Sequence, residues 1–306
     1  MNKIVLAGGT GFIGKVLCEY FRHSVREIVV LSRTSHPSHH NVGYEVWDGK
    51  TTGRWAASLE GADLLVSLSG KNVNCRYTES NMREIYASRL GPTAALAHAV
   101  SQAERPPATW VHLASATIYR HAEVRPQDEG TGDIGSGFSV DVCKAWEAAF
   151  ISASAPHTRK IILRVGLVLG PHDGVFPRLI NLVRTGMGGR QGSGRQMMSW
   201  IHQQDVARIV EWVHHNGLDG EIYNATAPDA ISNAEFMRHL RQAYGIPFGL
   251  PTPQWLLEVG AKLIGTEVEL ILKSRWVYPK KLLDAGFTFQ FPNAPAAIAD
   301  ILWRRV

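Results

Sequence analysis

The chain has 306 residues, 45% hydrophobic and 19% charged, which supplies a sizeable core and excludes a disordered or coiled-coil chain. Its 32 basic and 27 acidic residues leave +5 with no run of five like charges, so no nucleic-acid arm is indicated. Cys18, Cys75 and Cys143 form no CxxC pair and no stretch of 18 apolar residues occurs, so reduced thiols, a cytoplasmic location and no membrane span are expected.

Short apolar runs alternate with amphipathic segments through the first 170 residues. Strands are predicted at Ile4–Ala7, Glu27–Leu31, Tyr44–Trp47, Ala62–Leu68, Thr109–Ala114 and Lys160–Leu169. Several are nearly continuous Val, Ile and Leu, as in strands covered on both faces. Helices are predicted at Phe12–Phe21, Glu79–Ser101 and Val140–Ser152. This βαβ rhythm implies a parallel, doubly wound sheet. Beyond Gly170 the pattern changes. A glycine-rich loop (Gly186–Gly194) precedes Met197–Ile201, a helix from Gln203 to His215 and a strand at Glu221–Ala225. Helical segments follow near Asn233–Tyr244, Pro253–Ile264 and Pro295–Trp303. The expected architecture is an α/β Rossmann-type domain over 1–170, joined by segments near 196–227, with a smaller, mainly helical C-terminal substrate lobe over 171–306.

Gly8, Gly11 and Gly14 follow the first strand and open the first helix. Their spacing permits a tight turn, close backbone approach to a pyrophosphate and close helix–strand packing. The helix start then offers free N–H groups and partial positive charge to phosphate. The second strand ends Val30-Leu31-Ser32-Arg33-Thr34, without the acid that holds a ribose 2′-hydroxyl. Ser32 and Arg33 suit a 2′-phosphate instead, which favours NADP(H) over NAD(H). Arg33 can also be read as a solvated loop residue.

The chain resembles the extended short-chain dehydrogenase/reductase superfamily, which includes nucleotide-sugar epimerases and dehydratases. The resemblance rests on the glycine motif and on Ser115-Ala116-Thr117-Ile118-Tyr119. It narrows to an epimerase-like subfamily of uncertain activity through Leu68-Ser69-Gly70-Lys71-Asn72, Val142-Cys143-Lys144-Ala145-Trp146-Glu147 and the run from Gly192 to His202. Asn224-Ala225-Thr226-Ala227-Pro228 and the run from Pro279 to Phe287 extend it along nearly the whole chain. It implies that Thr10, Gly11, Phe12 and Ile13 meet the pyrophosphate and that Leu68 and Ser69 lie along the adenosine side. Glu84 and Arg89, five apart on one helix, would reach different parts of the dinucleotide or form an exposed charge pair.

In that superfamily a Ser or Thr after the fifth strand holds the substrate oxygen, and a Tyr-x-x-x-Lys pair moves the proton. Ser115 stands in the first position. With Glu147 aligned to the family's helical motif, Ser139 falls at the Tyr and Cys143 at the Lys, so the pair is absent. Shifting the frame to use Lys144 puts Val140 at the Tyr. Tyr119 is then a candidate replacement acid or a pocket-lining residue. Arg195, Met198 and Trp200 follow the glycine-rich loop and are candidate substrate contacts. His36, His39 and His40 show no recognised ligand spacing, so no metal is expected. Two readings stay open: an NADP(H)-dependent oxidoreductase or epimerase acting on a small carbonyl or sugar-like substrate with a non-standard acid/base, and a non-catalytic NADP(H) sensor. The expected partners are a small molecule and, at most, a second copy of the chain, with neither nucleic acid nor membrane.

Overall fold

In this computed structural model, every residue except 264, 266, 305 and 306 is described. The strands are β1 (Lys3–Ala7), β2 (Glu27–Ser32), β3 (Val42–Val46), β4 (Leu64–Ser67), β5 (Thr109–Ser115), β6 (Arg159–Val165), β7 (Leu167–Leu169), β8 (Met197–Met198), β9 (Trp200–His202), β10 (Ile222–Ala225) and β11 (Ile231–Ser232). The helices are α1 (Phe12–Phe21), α2 (Glu79–Gln102), α3 (Phe138–Ile151), α4 (Phe176–Arg184), α5 (Gln203–Asn216), α6 (Asn233–Ala243), α7 (Gln254–Leu263), α8 (Glu269–Leu272), α9 (Lys280–Asp284) and α10 (Ala294–Trp303).

Seven strands form one parallel sheet in the order β3-β2-β1-β4-β5-β6-β10. The apolar runs are continuous because both faces are covered. Ile4, Leu6, Ile28 and Val30 pack with Leu17 and Phe21 of α1 and Val206, Val210 and Val213 of α5. Their neighbours Val5, Ala7, Val29 and Leu31 point the other way, towards Leu96 and Val100 of α2 and Phe150 of α3. The chain is thus a Rossmann-type α/β sheet with a helical C-terminal region.

Three predicted segments change in detail. Lys160–Leu169 is two strands: Gly166 N–H makes a last bond to Ala225 O of the main sheet at 3.0 Å, and Leu167 N–H turns to Ser199 O at 2.8 Å. β7 then pairs with β9, and β8 with β11, so Met197–Ile201 is also split. The third strand starts and ends earlier than predicted, because Trp47 turns inward onto Trp55, ring centroids 5.2 Å apart. Helix α4 was not anticipated; its Phe176, Leu179, Ile180 and Val183 join Trp200, Phe236, Met237 and Ile298 in the lobe core. The end predicted for the Pro253–Ile264 helix, Ile264, lies outside the described residues.

A segment at residues 274–278 laces the lobe to the sheet domain. Ser199 Oγ accepts from Val277 N and donates to Arg275 O, each at 2.6 Å. On the other side Gln127 N donates to Trp276 O at 2.7 Å and Tyr278 N to Gln127 O at 2.9 Å.

Candidate cofactor and active site

The turn after β1 is shaped by two glycines. Gly8 has φ +81°, and a Cβ there would lie 2.6 Å from Ser69 Oγ. A Cβ at Gly14 would lie 2.1 Å from Gly9 O, so α1 can sit against the turn only without a side chain. Gly11 differs: it is exposed, and a Cβ there meets nothing within 4 Å. It caps α1 with extended backbone, no capping side chain and no acid in the first turn. The first N–H groups and the positive end of the helix are therefore left for an anion. Thr10 is exposed beside Gly11, while Phe12 and Ile13 are half-buried. These residues fit a dinucleotide pyrophosphate.

Ser32 is buried at the end of β2, where its Oγ accepts from Thr34 N at 3.3 Å; Arg33 beside it is exposed. Leu68 N and Ser69 Oγ both donate to Ala7 O, at 2.9 and 3.2 Å, which places them against the glycine turn. Arg89 reaches the same neighbourhood. Its guanidinium lies over the Trp146 ring at 5.0 Å, donates to Ile85 O at 3.1 Å and would meet a Cβ at Gly70 at 3.2 Å. Glu84 diverges from it: exposed on α2, it is engaged by Lys71, which lowers its pKa.

Ser115 is half-buried at the end of β5, its Oγ accepting from Thr117 N at 3.2 Å. Val140 and Cys143 of α3 pack with Ala116 and Ile118, so this turn of α3 lies beside the Ser115 end of the strand. Tyr119 needs a correction. It is 1% exposed, its hydroxyl donates to Asn224 Oδ1 at 3.0 Å and accepts from Arg164 Nη1 at 2.9 Å, and burial raises its pKa. Arg164 in turn forks onto both oxygens of Glu147. Tyr119 is a member of a closed polar network, so it is not presented as an acid. Burial pushes the Cys143 thiol up to about 11, which makes it a poor nucleophile. Lys144 points to Asp141, 3.7 Å away on the same exposed face.

Of the lobe candidates, Arg195 is 79% exposed and 3.9 Å from Glu123. Met198 Sδ lies 3.7 Å from Asn233 Nδ2. Trp200 is the second correction: it is fully buried, with its indole N–H on Asp229 O at 2.8 Å, and it fills the lobe core instead of lining a substrate space. His202 caps α5 by accepting from Gln204 N at 3.2 Å, and buried Asp205 accepts from Gln290 N, Phe291 N and Arg208. Among the described residues no group of three or more His, Cys, Asp or Glu could hold a metal ion.

Two residues near this turn of α3 were not singled out from the sequence. Tyr77 lies against Phe138, ring centroids 4.6 Å apart and planes inclined by 59°, one residue before Ser139. Arg275 comes in from the lobe, its Nη2 3.9 Å from Glu269 Oε1, the oxygen that also accepts from Ser139 Oγ. No local pattern marks either one, since each meets α3 across a long stretch of chain.

Residues 4–226 match the NAD dependent epimerase/dehydratase family. The chain belongs to that family. Residues 252–301 of this family member match a domain of unknown function, DUF1731. The chain is 30% identical over 305 residues to the epimerase family protein SDR39U1 of Bos taurus, covering 98% of this chain and 99% of that protein. A crystal structure of human epimerase family protein SDR39U1 (isoform2) with NADPH superposes with a TM-score of 0.86 at 30% identity, covering 98% of each chain. A nucleoside-diphosphate sugar epimerase from Corynebacterium glutamicum gives 0.75 at 26% identity, over 98% of this chain and 58% of that one. Among the described residues no helix is long and apolar enough to cross a membrane.

Proposed function

We propose that this epimerase-family protein binds NADP(H) and uses it to oxidise or reduce a small carbonyl or sugar-like substrate. The observation that carries the reading is the glycine turn at the start of α1, open at Gly11 and followed across the sheet by Ser32-Arg33 with no acid. The NADPH in the human relative's crystal structure supports the same choice of dinucleotide. Bound, the cofactor would supply or accept a hydride. Thr10 to Ile13 would hold its pyrophosphate, Ser32 and Arg33 its 2′-phosphate, and Leu68 and Ser69 would border its adenosine side. Arg89 would add a further cofactor contact, and the Ser115 hydroxyl would orient a substrate oxygen.

Titration of the protein with NADPH and NADH, followed by cofactor fluorescence, tests the reading. NADPH should bind more tightly, and Arg33→Asp should weaken it by about ten- to a hundredfold, the worth of a charge-assisted hydrogen bond of about 1.5–3 kcal/mol. Equal affinities for the two cofactors would remove the argument from Ser32 and Arg33. A second reading, a sensor without turnover, is favoured by Ser139 and Cys143 standing where the proton-transferring pair is expected. A panel of carbonyl compounds separates the two: NADPH oxidation that Ser115→Ala abolishes supports the enzyme, and tight binding with no oxidation supports the sensor.

A further inference from the structure

We propose that Tyr77 and Arg275 together replace the missing Tyr-x-x-x-Lys pair, Tyr77 as the proton-transferring group and Arg275 as the cation beside it. Both are delivered from other elements onto the turn of α3 where Ser139 and Cys143 stand. The proposal rests on the reading that this site uses NADP(H) on a carbonyl or hydroxyl carbon.

Three segments converge on that turn. Tyr77 ends the loop between β4 and α2. Its backbone N–H donates to Glu267 Oε1 at 2.9 Å, and its ring lies against Phe138, the residue before Ser139, with centroids 4.6 Å apart. Ser139 belongs to α3 and donates to Glu269 Oε1 at 3.4 Å. Glu269 and Arg275 belong to the lobe, with Arg275 Nη2 3.9 Å from Glu269 Oε1. A phenol ring is therefore held against α3 one residue from Ser139, delivered from another loop.

The cation follows the same pattern one turn further along. Cys143 is four residues from Ser139 and lies in the field of Arg275 and Arg89. Arg275 also lies in the field of Tyr77. Its side chain is 16% exposed, and its Nε and Nη1 are buried without a hydrogen-bond partner among the described residues. Its backbone is fixed at both ends, N–H to Met197 O at 2.9 Å and C=O from Ser199 Oγ at 2.6 Å. Glu269, the nearest acid, is shared with Lys273 at 3.1 Å, so its charge is already offset. The groups facing Tyr77 are Ser139 from α3, Glu267, Glu269 and Arg275 from the lobe, Cys75 from its own loop and Arg89 from α2. Burial raises the phenol's pKa, so at neutral pH it carries its proton and can give it.

In the reductive direction the substrate carbonyl carbon gains the hydride of NADPH, which is oxidised to NADP+. The C=O π pair moves to oxygen, and the Tyr77 Oη–H bond breaks as the new O–H bond forms. The phenolate left behind is held by the positive charge of Arg275 until water returns a proton. Oxidation of an alcohol runs the same steps backwards.

The test replaces Tyr77 alone by 3,5-difluorotyrosine, whose phenol titrates near neutral pH, and follows its fluorine resonance against pH in the full-length protein. Saturation with NADP+ or NADPH is checked separately by protein fluorescence. A phenol beside the reacting ring of the cofactor should titrate lower with NADP+ than with NADPH by about one pH unit or more, since only the oxidised ring is positive. Arg275→Met should raise the midpoint in both states, and Arg275→Lys should keep it low. Identical midpoints in the two saturated forms would overturn the role of Tyr77 while leaving cofactor binding intact. A midpoint indifferent to Arg275→Met would overturn that of Arg275. Failure to bind either cofactor would overturn the underlying reading and this proposal with it.

Discussion

Arg164 and Glu147 meet as a fork inside the protein, Nε on one carboxylate oxygen and Nη2 on the other, each at 2.8 Å, with the side chains 10% and 6% exposed. The pair joins β6 to α3, and the Tyr119 hydroxyl completes it by linking Arg164 to Asn224. A buried pair of this kind is costly to break, because the surviving charge is stranded in a low-dielectric interior. Arg164→Met should lower unfolding free energy by about 3–5 kcal/mol, and the double change with Glu147→Leu should regain a large part of it. Urea unfolding of the two single variants and the double variant measures this. A double variant as unstable as the sum of the singles would show that the fork contributes nothing as a pair.

Tyr119→Phe separates structure from catalysis. Removing the hydroxyl leaves Arg164 Nη1 and Asn224 Oδ1 short of a partner, at a cost of about 1–3 kcal/mol. NADPH affinity should not change, and neither should any turnover found with a carbonyl substrate once the lower stability is allowed for. Loss of turnover with stability intact would return Tyr119 to the list of acids.

The glycine turn makes opposite predictions at two positions on one motif. Gly14→Ala forces a methyl to 2.1 Å from a backbone oxygen, so α1 must move away from β1. Both melting temperature and NADPH affinity should fall. Gly11→Ala meets open space, so melting temperature should hold while NADPH affinity drops, because the added methyl stands where phosphate approaches. Calorimetry and fluorescence titration of the two variants decide it. Full affinity in Gly11→Ala would mean that the phosphates lie elsewhere.

Acid should destabilise the protein through a histidine. His112 is fully buried, its Nδ1 is 3.3 Å from Ser67 Oγ, it stacks on Phe150 at 4.5 Å, and burial takes its pKa down to about 3. The unfolded chain binds the proton first, at the ordinary value near 6.5, so stability is complete above that pH and is lost as pH falls towards 3. Between pH 7 and 4.5 this group can remove roughly 2–3 kcal/mol. His202, pulled down to about 4 chiefly by burial, acts in the same direction and over a narrower window. Unfolding measured at pH 7, 5.5 and 4.5 should show a shallower slope in His112→Phe than in the parent. Parallel slopes would mean that His112 does not carry the acid sensitivity.

The sheet was readable because its signal is local. Runs such as Ile28 to Leu31 are apolar at every position only when helices cover both faces, and the glycines before Phe12 mark where the first helix starts. The split at Gly166 was not readable, since the pull on Leu167 comes from Ser199, far along the chain. The same division runs through the site. Gly8, Gly11, Gly14, Ser32 and Arg33 follow one another closely, and their chemistry shows in their spacing. Trp200 reads as a substrate contact from the sequence because aromatic side chains suit pockets and cores alike, and its environment is set by Phe176, Phe236 and Ile298 from three separate helices. Tyr77 meets Phe138 and Arg275 meets Glu269 only through the folded chain, so neither contact has a trace in the order of residues.

The lacing at 274–278 bears on how the two matched regions could be inherited or exchanged. The strip between Ser274 and Tyr278 lies within the part that matches DUF1731, but its partners Gln127, Met197 and Ser199 lie within the part that matches the epimerase/dehydratase family. The C-terminal region is therefore not a free-standing cassette. A chimera carrying it from a relative will fold only if the receiving sheet domain offers the same hydroxyl and amide at those places, so the two halves must change together.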